Sequence, residues 1–339
     1  MRWDRANRSF LAIMAVALLL GAFVLCGAVG GVLVPLIVAR VSHGGLFGLP
    51  HDDLSLLPVL LFVVLIAIGI GLGARSLAQQ VVASRRLARR VCSLRMGTPA
   101  ELIRATKQSG LDGRVFLIDA SDSFSFVYGV LTPRVAVSRG LLESASCAEL
   151  RAVLEHERYH VCNLDPLKVV LVRALSAAMF FLPALGSLRA RYVAGRELAA
   201  DRRAVAACGR RPLAGVLLKV VRGPDWSEQG GSAAMGSPEL LDVRIVQLET
   251  GVEPRPEVLS VRRVVLSLMG TALLAAVFLL SVASFGGPTA FYHATGTGLA
   301  RATLLGSLAC TAPFGGAGLL MYSLIAMRAS RPLRFGCHP

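Results

Sequence analysis

Two histidines, His156 and His160, stand four residues apart with Glu157 directly after the first, in the run His156-Glu157-Arg158-Tyr159-His160. On an α-helix, residues four apart share a face, so this spacing brings two imidazoles near enough to hold one metal ion. Glu157 then lies beside that ion, where its carboxylate can take a proton from a metal-bound water. This is the HExxH arrangement, in which Zn2+ lowers the pKa of its water and the Glu acts as general base for peptide hydrolysis. His43, His51 and His293 fall in short expected loops and His338 at the C-terminal end, so His156 and His160 are the only histidines between residues 74 and 263.

A catalytic zinc needs a third protein ligand and one open position. The run Arg196-Glu197-Leu198-Ala199-Ala200-Asp201 offers two carboxylates four residues apart on a helix otherwise made of Ala and Leu. Buried there, both are costly unless bound or paired. One metal ligand and one partner hydrogen-bonded to a ligand histidine account for both. The alternative is a surface helix with ion pairs to Arg196 and Arg202. Cys162 and Asp165 lie too near His160 in sequence to be first choices, and Asp165 reads more simply as a helix cap. Tyr128, Arg134, Arg202 and Arg203 are unranked candidates for stabilising the oxyanion.

These residues need elements to hold them. Ser146-Cys147-Ala148-Glu149 is a capping box that predicts a helix from about Cys147 to Val161, with Leu150, Val153, Leu154 and Val161 as its buried stripe. Thr98-Pro99-Ala100-Glu101 predicts a second capped helix, stopped by Gly110. Three strand-like runs, Arg114–Asp119, Ser123–Val130 and Arg134–Ser138, predict a small sheet. A further helix from Leu188 to Cys208 carries Glu197, and a short one spans Glu239–Thr250. The Gly/Ser-rich stretch Gly223–Pro238 reads as a loop, either a lid or a tether.

Composition places this assembly at a membrane. The chain of 339 residues is 54% hydrophobic and only 17% charged, so apolar residues exceed what a water-facing fold needs. Phe10–Val38, Leu54–Gly73, Val264–Phe285 and Leu304–Met327 contain no Lys, Arg, Asp or Glu, and each is long enough for a helix to cross about 30 Å of hydrocarbon. The net charge of +15 follows the spans: Arg2, Arg5 and Arg8 precede the first, Arg85, Arg86, Arg89 and Arg90 follow the second, and Arg328, Arg331 and Arg334 follow the fourth. Positive residues mark cytoplasmic loops, so both termini and residues 74 to 263 are expected in the cytoplasm, with the chain in the plasma membrane. Basic charge arranged in this way is a topology signal and argues against nucleic acid as a partner. Seven cysteines without a CxxC pair predict reduced thiols.

Ligand geometry constrains residues 167–188. A single crossing there would put His160 and Glu197 on opposite sides of the bilayer. Lys168 and Arg173 also disfavour a simple span. The stretch is therefore expected to be an interfacial or re-entrant hairpin turning at Pro183. The predicted fold class is a mainly α membrane protein, with four transmembrane helices around a cytoplasmic α+β zincin-like domain containing a small sheet. Residues 1–75 hold spans one and two, 76–260 the peptidase domain, and 261–339 spans three and four with a short tail.

Four stretches carry a resemblance: Phe126-Val127-Tyr128-Gly129-Val130-Leu131-Thr132-Pro133-Arg134-Val135-Ala136-Val137-Ser138, then Val153-Leu154-Glu155-His156-Glu157-Arg158-Tyr159-His160, Asp165-Pro166-Leu167 and Arg196 to Asp201. Across residues 124–205 the chain resembles the membrane metallopeptidase clan of the BlaR/MecR-type antirepressor peptidases and the HtpX-type and CAAX-prenyl-type proteases. The Asp-Pro-Leu and the apolar Phe180–Leu185 lean toward the BlaR/MecR branch. The resemblance implies a gluzincin-type endopeptidase with Glu197 as third zinc ligand and Asp201 as support. It also implies that Arg134–Ser138 runs along the cleft, where an extended peptide could add as a strand. Only Arg328–Pro339 follow the fourth expected span, so the penicillin-binding sensor of the antibiotic receptors is not expected. The expected function is zinc-dependent cleavage of cytoplasmic or membrane-proximal protein segments, with regulatory proteolysis the leading role. An HtpX-like quality-control protease and a catalytically silent zinc-binding scaffold or sensor are the alternatives. Expected partners are a protein or peptide substrate and the lipid bilayer; oligomeric state is not encoded in these patterns.

Overall fold

In a computed structural model of the chain, residues 5–28, 57–220, 233–234, 240–254 and 259–284 are described. The fourth expected span and the outer loops lie outside them. The described residues are mainly helical with one small sheet, and they divide into two bodies. One gathers residues 5–11, 73–176, 187–220, 233–234 and 240–254; the other gathers 12–28, 57–72, 177–186 and 259–284.

The second body contains apolar helices. Helix α1 (Arg5–Ala28), the first part of α2 (Leu57–Ser93) and, at the far end of the chain, Val261–Ser284 are each long and apolar enough to cross a membrane. Phe23, Phe62, Leu274, Val277 and Phe278 interlock between them. Leu60, Ile70, Met269, Leu273 and Leu280 point outward and are exposed, which suits lipid rather than water. The tip of a helical hairpin, residues 177–186, packs in the same body. A Cβ on Gly69 would meet the Ala178 carbonyl at 2.8 Å, and one on Gly270 would clash with the Phe181 carbonyl, so both glycines permit close backbone approach. The Ala184 N–H donates to Ser267 Oγ at 2.9 Å.

Helix α2 differs from expectation. It runs unbroken for 37 residues, about 55 Å at 1.5 Å per residue, so the expected span and the expected juxtamembrane helix from Ser76 are one rod. Its last turns bring Leu87 and Val91 into the first body. Helix α3 (Ala100–Gln108) follows, with Pro99 at the N-cap and no side-chain cap. The expected Thr98/Glu101 box does not form, because Pro99 is extended and the helix begins one residue later.

The sheet contains β1 (Val115–Ile118), β2 (Ser125–Tyr128), β3 (Arg134–Ser138) and a two-residue β4 (Ala233–Ala234), in the order β1-β3-β2-β4. β1 and β3 are parallel; β2 is antiparallel to both β3 and β4. Strand alternation sorts the side chains by face. Val115, Leu117, Val127, Val135 and Val137 join one core, while Phe116, Ile118, Phe126, Tyr128 and Ala136 join the other with Leu87 and Val91 of α2.

Helix α4 (Arg139–Ser144) leads to α5 (Cys147–Cys162), which carries His156, Glu157 and His160. The capping box forms: Ser146 Oγ accepts from Glu149 N, and Glu149 Oε2 accepts from Ser146 N at 2.7 Å. Leu150, Val153, Leu154 and Val161 are buried in the first core, against β2 and β3. α6 (Asp165–Ala178) and α7 (Pro183–Cys208) follow, with the turn between them. The Tyr192 hydroxyl donates to Asp165 Oδ1 at 3.3 Å, so the start of α6 lies beside the middle of α7 and the two helices form an antiparallel hairpin. The turn precedes Pro183, which opens α7 as a first-turn proline can. α8 (Arg210–Val220) backs α5, α9 (Leu241–Thr250) follows, and α10 is Val261–Ser284.

The expectation that a peptide could add as a strand along Arg134–Ser138 is overturned. β3 lies between β1 and β2, so both of its edges are already hydrogen-bonded and no peptide can add to it. The strand edge beyond β2 is taken by Ala233 and Ala234, paired with Val127 and Phe126. The rest of Gly223–Pro238 lies outside the described residues.

Candidate active site

The α5 helix turns His156 and His160 to one side, buried, with ring centroids 4.9 Å apart and Nε2 atoms 3.2 Å apart. From α7, Glu197 reaches the same point. Its Oε2 is 3.5 Å from His156 Nε2 and its Oε1 is 3.7 Å from His160 Nε2. The ligand atoms of His156, His160 and Glu197 all lie within 4.8 Å of one another. Glu197 and Asp201 are buried, so the surface-helix alternative with exposed ion pairs does not hold.

Each imidazole has a carboxylate behind it. His156 Nδ1 is 2.9 Å from Asp201 Oδ1, and His160 Nδ1 is 2.6 Å from Asp165 Oδ2. The hydrogen bond from His160 Nδ1 to Asp165 keeps that ring's proton there and directs its Nε2 to the shared point, while Asp201 stands at ion-pair distance from His156 Nδ1 without hydrogen-bond geometry. Two Nε2 lone pairs facing each other beside a carboxylate repel unless a cation lies between them. The donor set, two imidazoles and one carboxylate, matches that of a catalytic zinc.

Asp201 has a second partner. Arg244 on α9 grips it with two hydrogen bonds, Nε to Oδ2 at 2.7 Å and Nη2 to Oδ1 at 2.6 Å. Burial opposes ionisation of Asp201, but Arg244 and His156 outweigh it and bring its pKa to about 2. Burial likewise opposes the charge on Glu197, yet His160, His156 and Arg196 hold it well below the usual carboxylate range. Burial disfavours charged imidazoles, but the carboxylates prevail, raising His156 through Asp201 and Glu197 and pushing His160 up to about 10 through Glu197 and Asp165.

Glu157, next to His156 on α5, is near enough to both imidazoles to feel their charge and also reaches the sheet. Its Oε1 accepts from Ser125 Oγ of β2 at 2.6 Å, and its Oε2 is buried without a protein partner among the described residues. Burial raises its pKa, only partly offset by the imidazoles and Ser125. A carboxylate with one oxygen anchored and one free, with an affinity for protons above the ordinary, suits a general base.

Sequence reasoning missed three of these residues. Asp165, read as a helix cap, is the orienting partner of His160; its place in the Asp-Pro-Leu match was the available signal. Ser125 had only its position in a strand-like run, and Arg244 had no local signal at all. The oxyanion candidates fare poorly. Tyr128 and Arg134 lie on the sheet face away from Ser125 and α5, where the Arg134 guanidinium is 5.5 Å from the Phe116 ring. Arg202 pairs with Glu253 at 2.8 Å, and Arg203 with Glu155 at 3.5 Å.

A family model described as BlaR1 peptidase M56 matches residues 51–248, more than half of the chain. Curated relatives include Protease HtpX from Acinetobacter baumannii strains AYE and SDF, each 36% identical over 102 residues, covering 30% of this chain and 34% of the relative. The chain thus matches about a third of the length of these relatives.

Proposed function

The chain belongs to the BlaR1 peptidase M56 family, and from that footing we propose that this membrane peptidase is a zinc-dependent endopeptidase cutting cytoplasmic or membrane-proximal protein segments. The observation that carries the proposal is the convergence of His156, His160 and Glu197 with Glu157 beside them. His156, His160 and Glu197 would hold Zn2+, which when bound supplies Lewis acidity and a water of lowered pKa. Asp165 holds the His160 imidazole in the tautomer that ligation requires, and Asp201 stands beside Nδ1 of His156. Glu157 takes the proton of the attacking water on its free Oε2 and passes it to the leaving amine nitrogen. Ser125 keeps the other oxygen of that carboxylate fixed. Burial of all these groups excludes bulk water and strengthens each charge interaction.

The substitution Glu157→Gln tests this reading. Purified protein should still bind one zinc, while chelator-sensitive cleavage falls by about 10²–10⁴-fold, the range for a lost general base. Undiminished cleavage by the variant refutes the assignment. Zinc in the wild type without chelator-sensitive cleavage would favour a silent scaffold or sensor instead.

Regulatory proteolysis is the leading role, supported by the family match. The similarity to Protease HtpX supports a quality-control role as the second reading. Substrates trapped by the Glu157→Gln protein separate the two: one specific partner for the first, many damaged membrane proteins for the second.

A further inference from the structure

Arg196 is buried at 5% exposure, directly before Glu197 on α7. Its Nε is 3.4 Å from Glu197 Oε1 but makes no hydrogen bond with it, and neither Nε nor Nη1 has an acceptor among the described residues. A buried guanidinium with empty donors is costly, and burial of this kind persists where an acceptor arrives in the working state. Its position sharpens the point. Arg196 helps keep Glu197 ionised, but a cation beside a metal ligand is also repelled by the metal ion, so metal binding alone does not account for its burial. Arg173 and Arg189 lie near enough to add their positive charge to the same region. Arg196 and Arg173 together present positive charge that an arriving anion would meet.

Peptide hydrolysis generates one. The reading rests on the peptidase assignment above. The attacking water oxygen bonds to the carbonyl carbon of the scissile peptide and its proton goes to Glu157. The C=O π pair moves onto the carbonyl oxygen, which becomes negative. The C–N bond then breaks as the π bond re-forms, and Glu157 delivers the proton to the departing nitrogen. We propose that Arg196 is the oxyanion-stabilising residue, its Nε–H and Nη1–H groups donating to the carbonyl oxygen as negative charge develops on it. Of the four candidates drawn from sequence, Tyr128 and Arg134 are on the far face of the sheet and Arg202 and Arg203 pair with carboxylates away from the ligands, whereas Arg196 pairs with the ligand Glu197 itself and keeps Nε and Nη1 without a hydrogen-bond acceptor among the described residues.

The test uses the full-length zinc-loaded protein in detergent, as wild type, Arg196→Gln and Arg196→Lys. Arg196→Gln should bind zinc at least as tightly as wild type, because a neighbouring positive charge is gone. Its kcat on a fluorogenic peptide should fall about 10²–10³-fold, the usual loss for one oxyanion donor, with KM changed less than about threefold. Affinity for a phosphinic pseudo-tripeptide, whose tetrahedral anion mimics the oxyanion, should fall by a similar factor. Affinity for the uncleaved peptide, measured in the Glu157→Gln background, should not change. Arg196→Lys, which keeps the charge but not the guanidinium fork, should preserve folding and zinc binding while recovering only part of the loss. A kcat within about threefold of wild type in Arg196→Gln overturns the role. So does a loss of zinc in both variants, which would make Arg196 structural. If the wild type cleaves no peptide, the peptidase reading fails, and the phosphinate comparison, which needs no turnover, still decides Arg196: equal affinity in wild type and Arg196→Gln overturns it.

Discussion

Glu157 is held by the hydroxyl of Ser125, which lies on β2 outside the His156–His160 run. The Ser125 Oγ–H donates to the charged carboxylate and so favours it, opposing the upward pull of burial. In Ser125→Ala, Glu157 should titrate at higher pH than in wild type. Its unprotonated form then appears only at higher pH, and the acid limb of kcat/KM moves upward. A charge-assisted hydrogen bond of about 1.5 kcal/mol corresponds to a shift of that limb by roughly one pH unit, and so to a roughly tenfold loss of kcat/KM on its acid side. A pH–rate profile of the variant with unchanged zinc content checks this; an unmoved acid limb speaks against the role. Protons and zinc also compete for the same nitrogens. His160 keeps its proton up to about pH 10 in the metal-free site, so zinc must displace that proton at any lower pH. The apparent Kd for zinc should therefore fall about tenfold for each unit of pH rise, for one proton displaced, over the range below 10. Titration against a chelating dye at pH 6, 7 and 8 measures it; a flat Kd would mean the imidazoles are already free.

At the level of elements, the site is assembled by three helices and a strand. α5 brings the histidines and Glu157, α7 brings Glu197 and Asp201, the first residue of α6 brings Asp165, and β2 brings Ser125. α9 locks α7 in place through Arg244 on Asp201 and through Gln247 Nε2, which donates to the Leu198 carbonyl at 2.9 Å. Removing one member of a buried charged pair leaves the other without compensation, which typically costs about 3–5 kcal/mol. Arg244→Met should accordingly lower thermal stability strongly in chelator-treated protein. The double variant with Asp201→Asn should lose less than Arg244→Met alone, because no orphan charge remains. Equal melting of Arg244→Met and wild type would show that α9 does not hold α7.

For the whole molecule, three described helices long and apolar enough to cross a bilayer accompany the peptidase body, and the hairpin tip between α6 and α7 is packed among them. We propose that the peptidase body faces the cytoplasm, as the arginine distribution implies. Cys147, exposed at the start of α5, reports on this directly. In intact cells a membrane-impermeant maleimide should leave the Cys147 peptide unlabelled, and permeabilisation should expose it. Labelling of intact cells would place the active site on the opposite side.

What the sequence determined by itself was what depends on local periodicity. The i, i+4 spacing that pairs His156 with His160 and Glu197 with Asp201, the Ser146 capping box, and the first three uncharged apolar runs are properties of a few neighbouring residues on one element, and helix geometry converts each directly into structure, as far as the described residues reach. Strand β3 was legible at its full length for the same reason. Tertiary structure decided which faces meet. Asp165, Ser125 and Arg244 act on the site from positions whose own neighbours carry no mark of it, because a hydrogen bond across elements leaves no period in the chain. The same holds for Tyr128 and Arg134. One strand step separates the face toward α5 from the face toward α2, and only the register of β2 and β3 against both helices showed that they point away from the chemistry. The long 167–188 stretch stood between these cases. Composition permitted either a crossing or a hairpin, the shared ligand geometry favoured the hairpin, and the contact of Tyr192 with Asp165 made it one.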